Sequence, residues 1–142
     1  MLPKTAEYAL RAIACLTQDT DRAWSADHLA EQTQVPRRYL HKVLQGLCQN
    51  ELVYSRSGPG GGYMLSRPAD EITILDVVNA VAPVERIHHC PLGLESHTTL
   101  CPLHRELDKA YAATEESFAR VTIGQLVLSG GTIPPLCEVA CF

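Results

Sequence analysis

Two groups of residues in this 142-residue chain have types and spacings that could do chemistry. The first is a run of thiols and imidazoles: Cys90, His97, Cys101 and His104, with His88 and His89 just ahead of it. Thiolates bind zinc and iron–sulfur clusters, and imidazole or carboxylate can replace one of them. A Pro follows each Cys (Pro91, Pro102), which stiffens the segment and removes competing backbone donors. By spacing alone, C-x10-C-x2-H is not a selective pattern and favours ordinary buried thiols. His88 and His89 read as solvated, and Cys15 and Cys48 as core thiols. Cys137 and Cys141 fit redox-active, ligand or inert roles equally.

The second group is basic. Between Val35 and Arg67, five cations (Arg37, Arg38, Lys42, Arg56, Arg67) face a single acid, Glu51, for a net +4. On a helix, Arg38, His41, Lys42 and Gln45 share one stripe, with Arg37 at the amino end. That is the footprint of a recognition helix entering a DNA major groove. A solvated helix face can look the same. The residues that follow tip the balance: Arg56 and Ser57 open a turn, Gly58-Pro59-Gly60-Gly61-Gly62. Glycines such as Gly60 let the backbone approach a phosphate closely. A nucleotide cradle is excluded, because no Gly-Lys-Ser/Thr follows and the next element reads as a strand.

The elements that must position these groups are legible in outline. Residues 5–18 read as a helix that Thr5 can cap, with Ala6, Leu10, Ile13 and Thr17 on one face. Ser25 can cap a short helix over 26–33. Pro36 suits the first turn of a third helix to about Gln49, which buries Tyr39, Leu40, Val43, Leu44 and Leu47. Residues 52–56 and 63–65 flank the glycine turn as a β-hairpin. Thr73 and Asp76 form a capping arrangement for a helix over 74–82, ended by Pro83. Helix, turn, helix, hairpin is the order of a winged helix. Leu103, Leu107, Ala110, Tyr111, Thr114, Phe118 and Val121 then recur at three and four, as on a long helix that needs a partner surface. The expected fold is mainly α with a small β-hairpin wing. It divides into a winged helix-turn-helix over 1–83, a Cys/His loop over 84–101, a dimerisation helix over 102–128 and a flexible tail over 129–142.

Composition sets limits on this. At 46% hydrophobic and 20% charged the chain reads as one compact domain, not a disordered or low-complexity one. The net charge of −4 argues against nucleic acid only as an average. Residues 68–142 carry four cations and ten acids, net −6, so the positive charge is confined to the third helix and hairpin. No secretory signal and no membrane-length apolar run interrupts the reading of a cytoplasmic protein. Six Cys in that compartment suit burial, metal or redox chemistry over a disulfide framework, and there is no C-x-x-C.

Four ordered motifs carry a resemblance: Thr5-Ala6-Glu7-Tyr8-Ala9-Leu10-Arg11, Val35-Pro36-Arg37-Arg38-Tyr39-Leu40, Gly58-Pro59-Gly60-Gly61-Gly62-Tyr63 and Ile72-Thr73-Ile74-Leu75-Asp76-Val77-Val78. Over residues 1 to about 125 the chain resembles the bacterial Rrf-type family of winged-helix regulators. Its members include the iron–sulfur regulator IscR, the nitric-oxide sensor NsrR and the cysteine-metabolism regulator CymR. The resemblance implies a homodimer joined through the long helix, bound to a palindromic operator. Arg37, Arg38, Tyr39, His41, Lys42, Gln45, Arg56, Ser57 and Gly60 would face the DNA.

Many members hold an iron–sulfur cluster on three Cys of the loop. Cys90 matches the first, and Cys101 with His104 matches the last Cys and the His that follows it in some members. The middle Cys is missing, with Ser96 and His97 near its place. In some members a carboxylate of the first helix reaches across the dimer, and Glu7 sits at the matching position. Cys90, Cys101, His104 and either Glu7 or His97 could thus ligate a [2Fe–2S] cluster, or hold zinc, or hold no metal.

The expected function is a regulator sensing redox state, nitric oxide or iron through this loop. The alternative within the class is thiol oxidation or a small ligand, without metal. A small metal- or thiol-dependent enzyme around Cys90, His97, Cys101 and His104 is the rival class. It lacks an H-E-x-x-H, a nucleophile elbow and a phosphate loop.

Overall fold

The computed structural model describes residues 2–129 and 131–133. Helix α1 (Lys4–Gln18) is the centre of the fold, with α2 (Ala26–Thr33), α3 (Arg37–Gln49), α4 (Ile74–Val81) and α6 (Ile123–Val127) packed around it. It can be surrounded because its buried residues are small: Ala6, Ala9, Ala12, Ala14 and Cys15 beside Ile13 and Leu16. Thr5 does not cap it. The helix starts one residue earlier, at Lys4, and the Pro3 carbonyl accepts the N–H groups of Ala6 and Glu7 at 3.0 and 3.2 Å. Thr5 therefore lies inside the first turn.

Ser25 caps α2, accepting the His28 N–H at 3.2 Å. Helix α2 ends where Gln34 turns left-handed (φ 55°), and α3 starts behind Pro36. Leu40, Val43, Leu44 and Leu47 bury one face of α3. Tyr39, expected among them, is 39% exposed and lies on the outer side. The helix-turn-helix leads into β1 (Val53–Arg56) and β2 (Gly62–Leu65), antiparallel with Val53 opposite Leu65 and Arg56 opposite Gly62. Trp24, which reads as a loop residue by sequence, pairs with Tyr63 at the outer edge of β2 and is only 2% exposed.

The capping box at α4 is present: Thr73 Oγ1 accepts the Asp76 N–H at 3.0 Å, and Asp76 accepts the Thr73 N–H at 2.9 Å. Residues 82–101 then run without helix or strand to α5 (Pro102–Ala119).

The helix expected over 102–128 is two helices. Helix α5 ends at Ala119, Thr122 forms a second capping box with Gln125, and α6 turns back to place Ile123 in the core at 1% exposure. Two backbone bonds seal the return, Ile123 N–H to the Ile72 carbonyl (2.8 Å) and Ile74 N–H to the Val121 carbonyl (3.0 Å). Burial of Ile123 outweighs continuation of a solvated helix. Among the described residues no helix is long and apolar enough to cross a membrane.

Candidate nucleic-acid interface and the cysteine loop

The outer face of α3 carries Arg37, Arg38, Tyr39, His41, Lys42 and Gln45, all exposed, opposite the leucine and valine side that packs on the core. Burying that apolar side is what forces the cations outward. His41, Lys42 and Gln45 share one groove of about 430 Å³ with Ser55 and Tyr63 of the hairpin and with Cys48. Helix and wing thus present a continuous surface. Ser55 and Tyr63 were not singled out by sequence: strand alternation puts them on the face of Val53 and Leu65, and only the packing of α3 beside the hairpin opens that face onto the groove. Burial pushes the Cys48 thiol up, which keeps it protonated within this surface.

Arg38 lies 4.6 Å over the Tyr39 ring and donates to its hydroxyl at 2.9 Å, so the two form one flat cationic plate. Arg37 is ion-paired with Asp27 at the start of α2, and both side chains are largely solvated. A pair so exposed holds weakly and can exchange for a phosphate. In the wing, Arg56 donates to the Gly60 carbonyl at 3.3 Å, and Ser57 and Gly60 are exposed. Gly58 (φ 90°) and Gly60 (φ 72°) have open space where a side chain would start. Glycine is needed there for the left-handed backbone, not for lack of room.

The cysteine loop is only partly assembled. Cys101, at the amino end of α5, places Sγ 3.3 Å from Nδ1 of His104, one turn on. Cys90 sits in a turn closed by the Gly93 N–H on the Cys90 carbonyl at 3.0 Å. The backbone N–H of Leu94, with those of Leu92 and Gly93, lowers the Cys90 thiol from its ordinary value against a smaller opposing effect of burial. Glu7 is ion-paired with Arg11 at 2.6 Å on α1. His97 has a buried Nδ1 with no hydrogen-bond partner. His88 and His89 are exposed, as expected, and Cys15 is buried. Cys137 and Cys141 lie outside the described residues.

Among the described residues no three His, Cys, Asp or Glu come close enough to share a metal ion. Cys101 and His104 meet, whereas Cys90, His97 and Glu7 do not join them within one chain. Among the described residues the donor set for a [2Fe–2S] cluster or zinc is therefore not complete in a single chain.

A contact absent from the sequence reading fixes the start of the loop. Arg86 Nε and Nη2 each reach Asp108 at 2.7 Å, and Nη1 reaches Glu115 at 3.3 Å. The Ile87 N–H adds a bond to Asp108 at 2.9 Å. The Arg86 guanidinium, helped by this N–H, holds the Asp108 carboxyl at about 2, and the carboxylates push Arg86 up in return. Asp108 and Glu115 are seven residues apart and so share one helix face, but nothing local in the sequence links them to Arg86.

Comparison with known proteins follows the same lines. A family model described as Rrf2, iron-dependent transcriptional regulator, matches residues 2–129. A protein of Aquifex aeolicus (strain VF5) named as an HTH-type transcriptional regulator is 30% identical over 127 residues, 87% of this chain and 88% of that protein. Protein aau3 of Rhizobium meliloti (strain 1021) is 32% identical over 129 residues, covering 89% and 84%. Among solved structures, CymR of B. subtilis superposes with a TM-score of 0.73 at 23% identity, over 92% of this chain and 98% of CymR. T. potens IscR gives 0.75 at 19% identity, over 92% and 88%. These two share the winged-helix fold, and the family is one of regulators, not enzymes. With the family model spanning nearly all the described residues, the chain belongs to the Rrf2 family of transcriptional regulators.

Proposed function

We propose that this regulator is a homodimer that binds a palindromic operator and senses its signal through residues 84–101. The observation that carries the DNA reading is the shared groove of His41, Lys42 and Gln45 with the hairpin, flanked by Arg38, Tyr39, Arg56 and Gly60. Lys42 and the arginines supply phosphate contacts, and His41 and Gln45 face the base edges. The dimer reading rests on α5. Its outer face exposes Leu103 (64%), Leu107 (39%) and Tyr111 (39%), while His104, Asp108, Ala112, Glu115 and Phe118 turn inward. Such an apolar row on an 18-residue helix is suited to a second copy of itself. Two-fold binding would set the recognition helices about 34 Å apart, one DNA turn. DNA as its partner implies the cytoplasm as its compartment.

For the sensor, the geometry within one chain favours thiol chemistry at Cys90 and at the Cys101–His104 pair. A [2Fe–2S] cluster would need Cys90, Cys101 and His104 to converge with Glu7 of a second copy or with His97. The experiment that separates the two is anaerobic purification with a visible spectrum and iron, sulfide and zinc analysis, repeated on Cys90→Ala. A colourless, iron-free protein that still binds DNA supports the thiol reading. A coloured protein whose iron is lost in Cys90→Ala overturns it in favour of the cluster.

A further inference from the structure

The segment from Val84 to Leu100 has no helix or strand, and no residue of α5 is fully buried. The two elements share no fully buried apolar residue among those described, and α5 rests on α4 through half-buried ones, so polar contacts weigh heavily in their mutual angle. Between them lies an open cavity of about 1150 Å³, lined by Val78, Val84, Ile87 and Phe118 among others. Across that gap the bridge is Arg86, two-pronged on Asp108 and reaching Glu115 as well. The Asp108 side chain is only 18% exposed, so the pair is partly shielded from water. Asp108 and Glu115 are two helical turns apart, about 10 Å along the axis. One guanidinium therefore grips the same face of α5 at two heights, which resists tilting as a single point of contact would not.

The other end of α5 is also held, because Thr122 and Ile123 return the chain to the core beside Ile72. A helix of 18 residues is about 27 Å long, and a tilt of only about 5° moves a free end by roughly 2 Å. We propose that Arg86, with Asp108 and Glu115, is the positioning residue that sets the angle between α5 and the winged helix. Through that angle it sets the spacing of the two recognition helices. The inference rests on the reading of α5 as the dimer helix, and it gives Arg86 no contact with DNA.

The test uses the full chain and a duplex selected from a random-sequence pool by the wild-type protein. A second duplex keeps one half of that site and has the other half scrambled. Arg86→Ala should lose about tenfold in affinity for the whole site and less than about twofold for the half site, because misplaced helices forfeit the second engagement only. Sedimentation should show it still dimeric at the assay concentration. Asp108→Asn should follow the same pattern. Arg86→Lys keeps the charge without the two-pronged geometry and should fall between. It carries the same comparison if the alanine variant does not fold.

Wild-type affinity for both duplexes in Arg86→Ala overturns the inference. So does an equal loss on both, which reports damage to the recognition unit, and so does a loss explained by a monomeric variant. If the wild-type protein gains nothing from the second half site, the dimer reading fails and the inference falls with it.

Discussion

Trp24 and Tyr63 pair through their backbones, each donating its N–H to the other's carbonyl at 2.9 and 2.8 Å. The pairing welds the α1–α2 connection to the wing, and Trp24 is locked further by its indole N–H on the Asp19 carbonyl at 3.1 Å and a stacked His28. The wing is therefore an extension of the core and not a free hairpin.

Gly62 occupies the tightest point of this junction. Its φ is +148°, and a Cβ would run into the Trp24 carbonyl. Gly62→Ala should destabilise the protein by about 2 kcal/mol, with the wing displaced. Chemical denaturation checks the first part, and an unchanged midpoint would refute it.

Arg38 and Lys42 project from α3 with no carboxylate partner among the described salt bridges, unlike Arg37 with Asp27. Each alanine variant should weaken DNA binding and reduce the slope of log affinity against log salt by roughly one. A wild-type titration with no salt dependence is the outcome inconsistent with the proposed interface.

Asp108 titrates at about 2 in the folded chain against an ordinary value of 3.8. A lowered folded-state value means the ionised carboxylate stabilises the native state. That contribution is fully present above the ordinary value and is lost as pH falls through about 2. The stability gap between wild type and Asp108→Asn should stay constant from about pH 5 to 7 and close below about pH 4. A gap that persists undiminished at the lowest pH would assign the effect to shape, not charge.

Leu107 stands in the middle of the exposed apolar face of α5. Leu107→Asp should weaken self-association by roughly 2 kcal/mol or more while leaving the circular dichroism spectrum of the chain unchanged. Sedimentation decides the matter: a variant that stays as dimeric as the wild type would remove α5 from the interface.

Much of this was legible in the residues themselves, because the deciding forces act over a few positions. Ser25 over His28 and Thr73 with Asp76 are local caps, and their bonds form where their spacing predicts. The Gly58–Gly62 turn and the apolar side of α3 likewise follow from backbone freedom and period, and with them the exposed basic face. The four ordered motifs were enough to identify the family.

What tertiary structure alone decided depends on pairs far apart in the chain. Trp24 reads as an isolated aromatic in a loop until Tyr63 is beside it. The apolar period runs on past Ala119, and the core site for Ile123, together with the Thr122–Gln125 capping box, breaks the helix there. Tyr39 reads as buried by period, yet it lies outside, its ring beside Tyr8 and under the Arg38 guanidinium. The family resemblance likewise grouped Cys90 with Cys101 and His104 as one set, whereas folding joined the last two and gave Cys90 its own turn. Arg86 carried no motif at all. Its ion pair exists because the chain brings Asp108, 22 positions on, back to it, a closure that propensity and period do not encode.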